Sequence, residues 1–407
     1  MNCILLILKD LAVFEEHNAK SDSFPEMVRI HEELADHCLV LSLRPYSKKQ
    51  REAFESSLKT GSRTKLLGRG WHIPDRLLSM FIKINTSAAL FRFYKIKYFL
   101  IIRAIQRYVN DYGKPDIMTA LHSCDESGIV TRLINDRIGV PFVVLERKTA
   151  YAREKLSGAK REVICETLSR ASLVLPVSQA LGQDMKSLCQ PRKLYTRTLP
   201  NPAAKSLFEP TQPHEEVVRF AQGRFVFAGW TNWRVIKRLD LLVDAFRQVK
   251  KQRPDICLVI AGRLPEKVWQ KLPHGEWREH TLILGHIDRA GIRALATASN
   301  CCVIPSNYET FGLPAIEALS AGLPVITTRC GGPEEVITDS SLGRVVERGD
   351  SEALARAMLE VCDNKEAFDS VAIREHASSY YGHDKLLERW QDVYRTVLGE
   401  QGTALDK

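Results

Sequence analysis

Residues 301–328 read CCVIPSNYETFGLPAIEALSAGLPVITT. An apolar run, Cys301 to Ile304, meets a polar loop, Pro305 to Gly312. A helix-forming segment opens at Pro314, and a second apolar run, Val325 to Thr328, closes the stretch. Proline suits a helix's first turn, where its missing N–H has no intrahelical partner to lose, and Gly322 followed by Pro324 reads as a helix stop. The unit is strand, loop, short helix, strand, with the helix N-terminus turned toward the loop.

Two carboxylates sit in this unit, Glu309 in the loop and Glu317 one turn into the helix. Backbone N–H groups without partners at a helix start, backed by the macrodipole, favour an anion such as phosphate. Gly312 would let the main chain approach a ligand closely. Glu317 would then reach ribose hydroxyls, and Glu309 those of a sugar beyond the phosphate. The plainer alternative has Glu317 stabilising the helix dipole and Glu309 in a solvated loop.

The same alternation of apolar runs and helical patterns extends in both directions. Upstream, Ile4 to Leu8, Leu39 to Leu43, Asp116 to Leu121, Phe142 to Leu145 and Leu173 to Val177 read as strands. Pro25 to Ala35, Leu77 to Asn110, Gly128 to Arg137 and Glu154 to Leu168 read as helices. A second set begins near Phe225, with strands at Phe225 to Ala228 and Ile256 to Ala261 and helices at Asp240 to Lys250, Ser351 to Cys362 and Asp384 to Leu398. Strands alternating with helices predict parallel sheets covered on both faces, with ligands at the carboxyl ends of the strands.

A chain of 407 residues, 44% of them hydrophobic, is long enough for two or three domains. Its ten cysteines show neither a C-x-x-C pair nor a Cys/His cluster, so no zinc site or disulfide framework is indicated and a reducing, cytosolic compartment fits best. The vicinal Cys301-Cys302 reads as buried filler. The N-terminal apolar run, Ile4 to Leu8, is broken by Lys9 and Asp10 and lacks the form of a signal peptide, and no uncharged run approaches the length of a membrane span. Charge is uneven: between Lys48 and Arg107 stand 14 Lys or Arg against three acids, an excess larger than the +9 of the whole chain. Arg76, Lys83, Arg92, Lys95, Lys97, Arg103 and Arg107 interleave with apolar residues there. Such a stretch suits an anionic membrane surface, an anionic acceptor, or the basic outer face of packed helices. Nucleic acid is disfavoured, because no recognition module accompanies the charge.

The segment from Pro305 to Ala318 resembles the E-x7-E signature of retaining glycosyltransferases of family 4, with proline, both glutamates, the Phe311-Gly312 pair and the following Ala-Gly-x-Pro-Val in register. The resemblance implies an α/β chain of the GT-B fold: two Rossmann-like doubly wound parallel-sheet domains facing a cleft, with a C-terminal helix crossing back to the first. On that pattern residues 1–205 with helix 384–398 are the acceptor domain and 206–383 the donor domain, with a frayed tail at 399–407. Further matches are Pro115-Asp116-Ile117 leading to His122, Leu173 to Ser178, and Thr198-Leu199-Pro200-Asn201-Pro202. Leu282 to Ile287 resembles the strand whose following backbone contacts the nucleotide base.

The activity so implied is metal-independent transfer, with retention, from a nucleotide diphosphate sugar to a saccharide or lipid-linked saccharide, in cell-surface polysaccharide or lipopolysaccharide synthesis. No cofactor is implied. The protein would be cytoplasmic, peripheral on the membrane's cytoplasmic face through residues 48–107. On the donor side the pattern assigns Lys237, and more weakly Arg234, to the diphosphate. Thr310, Phe311, Gly312 and Leu313 fall to phosphate and sugar, Glu309 to the sugar, Glu317 to the ribose and Ile287 to the base. His122 and Arg147 fall on the acceptor side. His122 is alternatively structural, Arg147 alternatively pairs with Glu146 or Glu154, and the 229–238 loop is alternatively a solvated basic turn. Three departures stand out, the first being Arg147 where the family's strand end often carries histidine. Arg238 replaces a usual glycine, and the stretch Ser21 to Met27, where relatives carry a Gly-Gly loop, has no glycine. A catalytically silent GT-B nucleotide-binding protein, a nucleotide-sugar epimerase or phosphorylase, and a membrane-surface scaffold using the basic stretch remain the other readings.

Overall fold

A computed structural model describes residues 3–8, 23–43, 48–57, 65–67, 87–123, 126–148, 151, 156, 158–203, 205–273 and 275–399. The chain divides into two compact units, Met1–Pro202 with His383–Lys407, and Ala203–Gly382.

In the first unit the strands are β1 (Cys3–Leu8), β2 (His37–Ser42), β3 (Lys65–Leu67), β4 (Ile117–Leu121), β5 (Phe142–Glu146) and β6 (Leu173–Pro176). The helices are α1 (Ser23–Leu34), α2 (Lys48–Ser57), α3 (Ser87–Lys97), α4 (Phe99–Tyr112), α5 (Glu126–Ile138), α6 (Gly158–Arg170) and α7 (Gln179–Cys189). The strands form one parallel sheet in the order β3-β2-β1-β4-β5-β6. Every residue of β4, β5 and β6 is buried. That is why these runs are apolar throughout rather than alternating: helices cover both faces of such a sheet.

The second unit repeats the plan. Its strands are β7 (Phe225–Trp230), β8 (Ile256–Ala261), β9 (Thr281–Gly285), β10 (Cys301–Ile304), β11 (Val325–Thr328) and β12 (Gly343–Val346). Its helices are α8 (Glu215–Ala221), α9 (Leu239–Gln252), α10 (Glu266–Trp269), α11 (Arg289–Thr297), α12 (Leu313–Ser320), α13 (Gly332–Val336), α14 (Ser351–Asp363) and α15 (Ser370–Tyr381). The parallel sheet runs β12-β11-β10-β7-β8-β9. Taken from its other edge this is the same winding as the first sheet. Leu242, Phe246 and Val249, spaced along one stripe of α9, share a core with Leu354, Met358 and Val361 of α14.

The last helix, α16 (His383–Leu398), returns to the first unit, where Leu386, Trp390, Val393 and Tyr394 join the core formed by Ile117, Leu121, Val143 and Leu173. A buried polar chain fixes it there. His31 Nδ1 donates to the Met27 carbonyl (2.6 Å), Nε2 accepts from the Tyr394 hydroxyl (2.6 Å), and Thr119 Oγ1 lies 2.8 Å from that hydroxyl. Burial pushes the His31 imidazole down to about 4. A neutral ring, donor at one nitrogen and acceptor at the other, is what this chain of bonds requires.

Two expectations are corrected. The single helix expected from Leu77 to Asn110 is two, α3 and α4, interrupted at Tyr98, while residues 77–86 lie outside the described residues. Tyr98 is drawn fully inside, and both its hydroxyl and Lys97 Nζ donate to the Glu126 carboxylate, the lysine at 2.5 Å. Lys97 is therefore an internal partner of α5, not part of a basic outer surface; Arg76 and Lys83 lie outside the described residues. The glycine-free stretch Ser21 to Met27 is helix from Ser23 onward, and Glu26 is buried against His383.

Candidate functional site

Strand order reverses direction between β7 and β10, which pair through Cys301 with Phe227 and Cys302 with Ala228. In open α/β sheets this is where the carboxyl ends of two neighbouring strands leave a crevice. The loop after β7 makes one turn of 3-10 helix, Val235–Lys237, and ends at Arg238 in the left-handed region, φ 50°. Arg238 thus adopts the backbone shape that the usual glycine takes without strain. Its guanidinium is occupied, Nε donating to both Asp240 oxygens (3.1 and 3.0 Å) and Nη1 to Asn307 Oδ1 (3.3 Å). A further bond, Asn307 N–H to the Ile236 carbonyl (2.8 Å), stitches this turn to the loop after β10.

The stitch brings Lys237 and Glu309 together. Lys237 Nζ donates to Glu309 Oε1, which also accepts from Ser306 Oγ at 3.1 Å. Both residues are buried, 6% and 8% exposed. A lysine so enclosed stays charged at little cost only beside an anion, and the same holds for the carboxylate beside a cation. Arg234, by contrast, stands exposed at the head of the turn.

The signature loop is held on its other side by the turn at residues 330–333. Glu309 N–H donates to the Cys330 carbonyl (2.8 Å) and Gly332 N–H to the Glu309 carbonyl (3.1 Å). A Cβ on Gly312 (φ +81°) would lie 2.4 Å from Pro333 Cγ, and one on Gly332 would lie 2.3 Å from the Phe311 Cα. The close approach expected of Gly312 is therefore protein against protein, its missing side chain making room for Pro333. Phe311 is buried, its ring edge-on to Tyr381 at 6.0 Å. Thr310 and Leu313 remain partly exposed where α12 begins.

Glu317 lies one turn into α12 and accepts from Trp230 Nε1 at 2.7 Å, the last residue of β7. Burial pushes its carboxyl above the usual range, against the pull of that hydrogen bond and of the Arg289 charge. The Arg289 guanidinium is itself brought down to about 10 by burial, with Glu317 opposing. Ile287 sits just before α11, partly exposed; the next residue, Asp288, caps that helix by accepting from Gly291 N–H at 2.8 Å.

In the first unit the counterpart is Glu146, fully buried at the end of β5. Its Oε2 accepts from Ser123 N–H (2.8 Å), Ser123 Oγ (2.6 Å) and the Tyr151 hydroxyl (3.2 Å), and its Oε1 from the backbone N–H groups of Arg147 (2.8 Å) and Lys148 (2.9 Å). His122 Nδ1 lies 3.3 Å from Oε1. Burial alone would raise this carboxyl, but His122, Ser123 and the amides hold it far below the usual carboxylate range. His122 has φ 75°, a left-handed conformation that turns the chain directly after β4, and its carbonyl accepts from Ser127 Oγ (2.7 Å) and Gly128 N–H (3.1 Å). Glu146 thus receives the main-chain N–H of Arg147. The guanidinium extends instead to Met27 Sδ (3.6 Å), and burial lowers it to about 10. Glu154 lies outside the described residues.

Comparison with known proteins gives this geometry a family. Residues 218–378, nearly the whole second unit, match the family model described as Glycosyl transferases group 1. This segment belongs to that family. Curated relatives overlap it in part: N-acetyl-alpha-D-glucosaminyl L-malate synthase of Bacillus anthracis is 28% identical over 172 residues, 41% of this chain and 44% of the relative. Phosphatidyl-myo-inositol mannosyltransferase of Mycobacterium leprae is 32% identical over 165 residues, 40% of this chain and 43% of the relative. The chain spans less than half the length of these curated relatives. Among solved structures, Anabaena Alr3699/HepE in complex with UDP and glucose superposes with a TM-score of 0.70 at 17% identity, covering 97% of this chain and 99% of that one. That likeness shows the fold, the two-sheet GT-B architecture, over 97% of this chain.

Within the group 1 segment the structure brings Lys237 and Glu309 into contact and places Thr310 to Leu313 and Glu317 on the adjoining loop and helix. Reasoning from sequence passed over Trp230, Arg289 and Ser306 here, and Ser123, Tyr151 and the hub role of Glu146 in the first unit. Trp230 ends a strand and Arg289 opens a helix, positions where this architecture collects ligands, and that placement was the available signal. Among the described residues no helix is long and apolar enough to cross a membrane.

Proposed function

We propose that this protein is a retaining glycosyltransferase of family 4, transferring a sugar from a nucleoside diphosphate sugar to a saccharide or lipid-linked saccharide acceptor, without a metal. The observation that carries the reading is the buried Lys237–Glu309 pair at the carboxyl ends of β7 and β10. The two form a buried ion pair, so an incoming diphosphate can take over the lysine and leave the carboxylate for a sugar hydroxyl. The diphosphate leaving group gathers negative charge as the glycosidic bond breaks, and a fixed cation in a buried setting stabilises that charge strongly. Glu317, held by Trp230, suits the ribose, and the main chain near Thr310 and Leu313 suits phosphate and sugar.

In the first unit, Glu146 turns the His122 ring so that Nδ1–H faces the carboxylate and Nε2 serves a sugar hydroxyl. Arg147, charged and nearby, suits an anionic acceptor group. A lipid-borne acceptor is favoured by the corner between α3 and α4, where Ile96, Phe99 and Leu100 are 40%, 54% and 54% exposed beside the exposed Arg92, Lys95, Arg103 and Arg107. Apolar side chains rimmed by cations suit the surface of an anionic membrane, here the cytoplasmic face.

The test is calorimetry of UDP, GDP, ADP and CMP with the purified chain, each with and without Mg²⁺, followed by nucleotide release from the matching sugar donor in the presence of acceptor. Micromolar binding of one nucleoside diphosphate without metal, and turnover that requires acceptor, is the expected result. Binding by none of them would overturn the assignment. Turnover without acceptor would make the protein an epimerase or hydrolase.

A further inference from the structure

Eight cysteines are described with their side chains, and all are buried thiols. One pair differs from the rest. Cys165, midway along α6, and Cys189, the last residue of α7, face each other with their sulfurs 2.8 Å apart. The vicinal Cys301 and Cys302 cannot imitate this, because consecutive residues of a strand point to opposite faces. We propose that Cys165 and Cys189 form a reversible disulfide, a redox modification site that ties α6 to α7 across β6.

The surroundings divide the labour between the two sulfurs. Cys189 S–H donates to Cys165 Sγ. The Arg161 guanidinium, bonded to the Leu188 carbonyl at 2.9 and 2.5 Å, and Arg192, paired with Glu162, supply positive charge beside them. The hydrogen bond from Cys189 and, after it, these charges lower the Cys165 thiol, while that same bond and burial raise Cys189. A small oxidant such as hydrogen peroxide is attacked by the Cys165 thiolate, one peroxide oxygen passing to sulfur as a sulfenic acid while the other leaves as water. Cys189 then loses its proton and attacks the Cys165 sulfur, the S–O bond breaks, and a second water departs. Two thiols are oxidised and one peroxide is reduced. Reaching a bonding distance of about 2.05 Å asks less than an ångström of relative sulfur movement.

The consequence is local and measurable. The bridge closes a loop of 24 residues containing β6 and Ser178, the residue that caps α7 by accepting from Leu181 N–H at 3.1 Å. Cross-linking removes freedom from the unfolded chain, so the oxidised protein should melt roughly 5 °C higher.

The experiment uses the full chain, reduced with dithiothreitol, freed of it and given one equivalent of hydrogen peroxide. Intact mass should fall by about 2 Da, a non-reducing peptide map should join the Cys165 and Cys189 peptides, and dithiothreitol should reverse both. Cys165→Ser should abolish the cross-link. Cys189→Ser should stall at the sulfenic acid, about 16 Da heavier and trapped by dimedone. The same map on the natural chain keeps the result decisive if either variant misfolds. A mass gain without a cross-link, a bridge to any other cysteine, or a bridge that persists in Cys165→Ser would overturn the proposal.

Discussion

Glu309, in the loop after β10 of the second unit, and Glu146, the last residue of β5 in the first, are each buried at the carboxyl end of a strand. Their partners differ in kind. Glu309 meets one cation, Lys237, and one hydroxyl, Ser306. Glu146 is surrounded by backbone N–H groups, a serine, a tyrosine and a histidine. A carboxylate balanced by one side-chain cation can exchange that partner for a ligand. A carboxylate satisfied by main-chain amides cannot release them without unmaking the loop, so it serves to fix its neighbours.

The comparison breaks most sharply at Glu309. Glu309→Ala should lower kcat by about 10² or more while leaving nucleoside diphosphate affinity within a few fold, because the lost group acts on the transferred sugar and the freed lysine still meets phosphate. Steady-state rates with calorimetry on the same protein decide it. Unchanged kcat would place Glu309 with Glu146 as scaffold. Lys237→Ala should act on binding instead, weakening a nucleoside diphosphate by about 2 kcal/mol while leaving the bare nucleoside nearly unaffected, as expected for a charge-assisted contact to phosphate. The ratio of the two affinities is the readout, since it is insensitive to general loss of fold. Equal losses for both ligands would remove the phosphate role.

Glu146→Gln probes the opposite character. It keeps the shape but weakens the bonds from amides and hydroxyls, costing about 1–3 kcal/mol of stability at neutral pH. The pH sign follows from the lowered folded value. Its contribution is present above the unfolded value of 4.5 and is lost as pH falls below it. The natural protein should therefore lose stability faster than the variant on acidification below about pH 5, with the two denaturation curves converging. Parallel curves would mean that the amides do not favour the ionised form.

These differences explain what could be read without coordinates. Both sheets were legible because buried parallel strands are apolar at nearly every position, as in Ile256 to Ala261. The signature unit was legible because its proline, glycines and glutamates lie within one short span. Helix α2, reading KKQREAFESS, carries too few apolar residues to announce itself. The hub at Glu146 was hidden for a different reason. Ser123 is 23 residues away, and two of the other donors are main-chain amides, which every sequence supplies. Lys97 looked like one more surface cation because its partner Glu126 lies 29 residues on, outside the span of any local pattern.

The smallest effect expected is at Glu317, and it runs in two directions. Its carboxyl is raised by burial, so its contribution to stability is greatest below the unfolded value of 4.5 and is lost as pH rises through the folded one. Above that folded value the ionised group is enclosed with one hydrogen bond from Trp230 and the nearby charge of Arg289. Glu317→Gln keeps an oxygen to accept from Trp230 and removes the buried charge. The free variant should then melt about 1–3 °C higher than the natural protein at pH 8, with the gap closing near pH 4. Bound nucleotide should reverse the order, because an amide accepts a ribose hydroxyl less strongly than a carboxylate, and affinity should drop about tenfold. A variant that gained stability and kept its affinity would leave Glu317 as a strained structural partner of Trp230, closer in character to Glu146 than to Glu309.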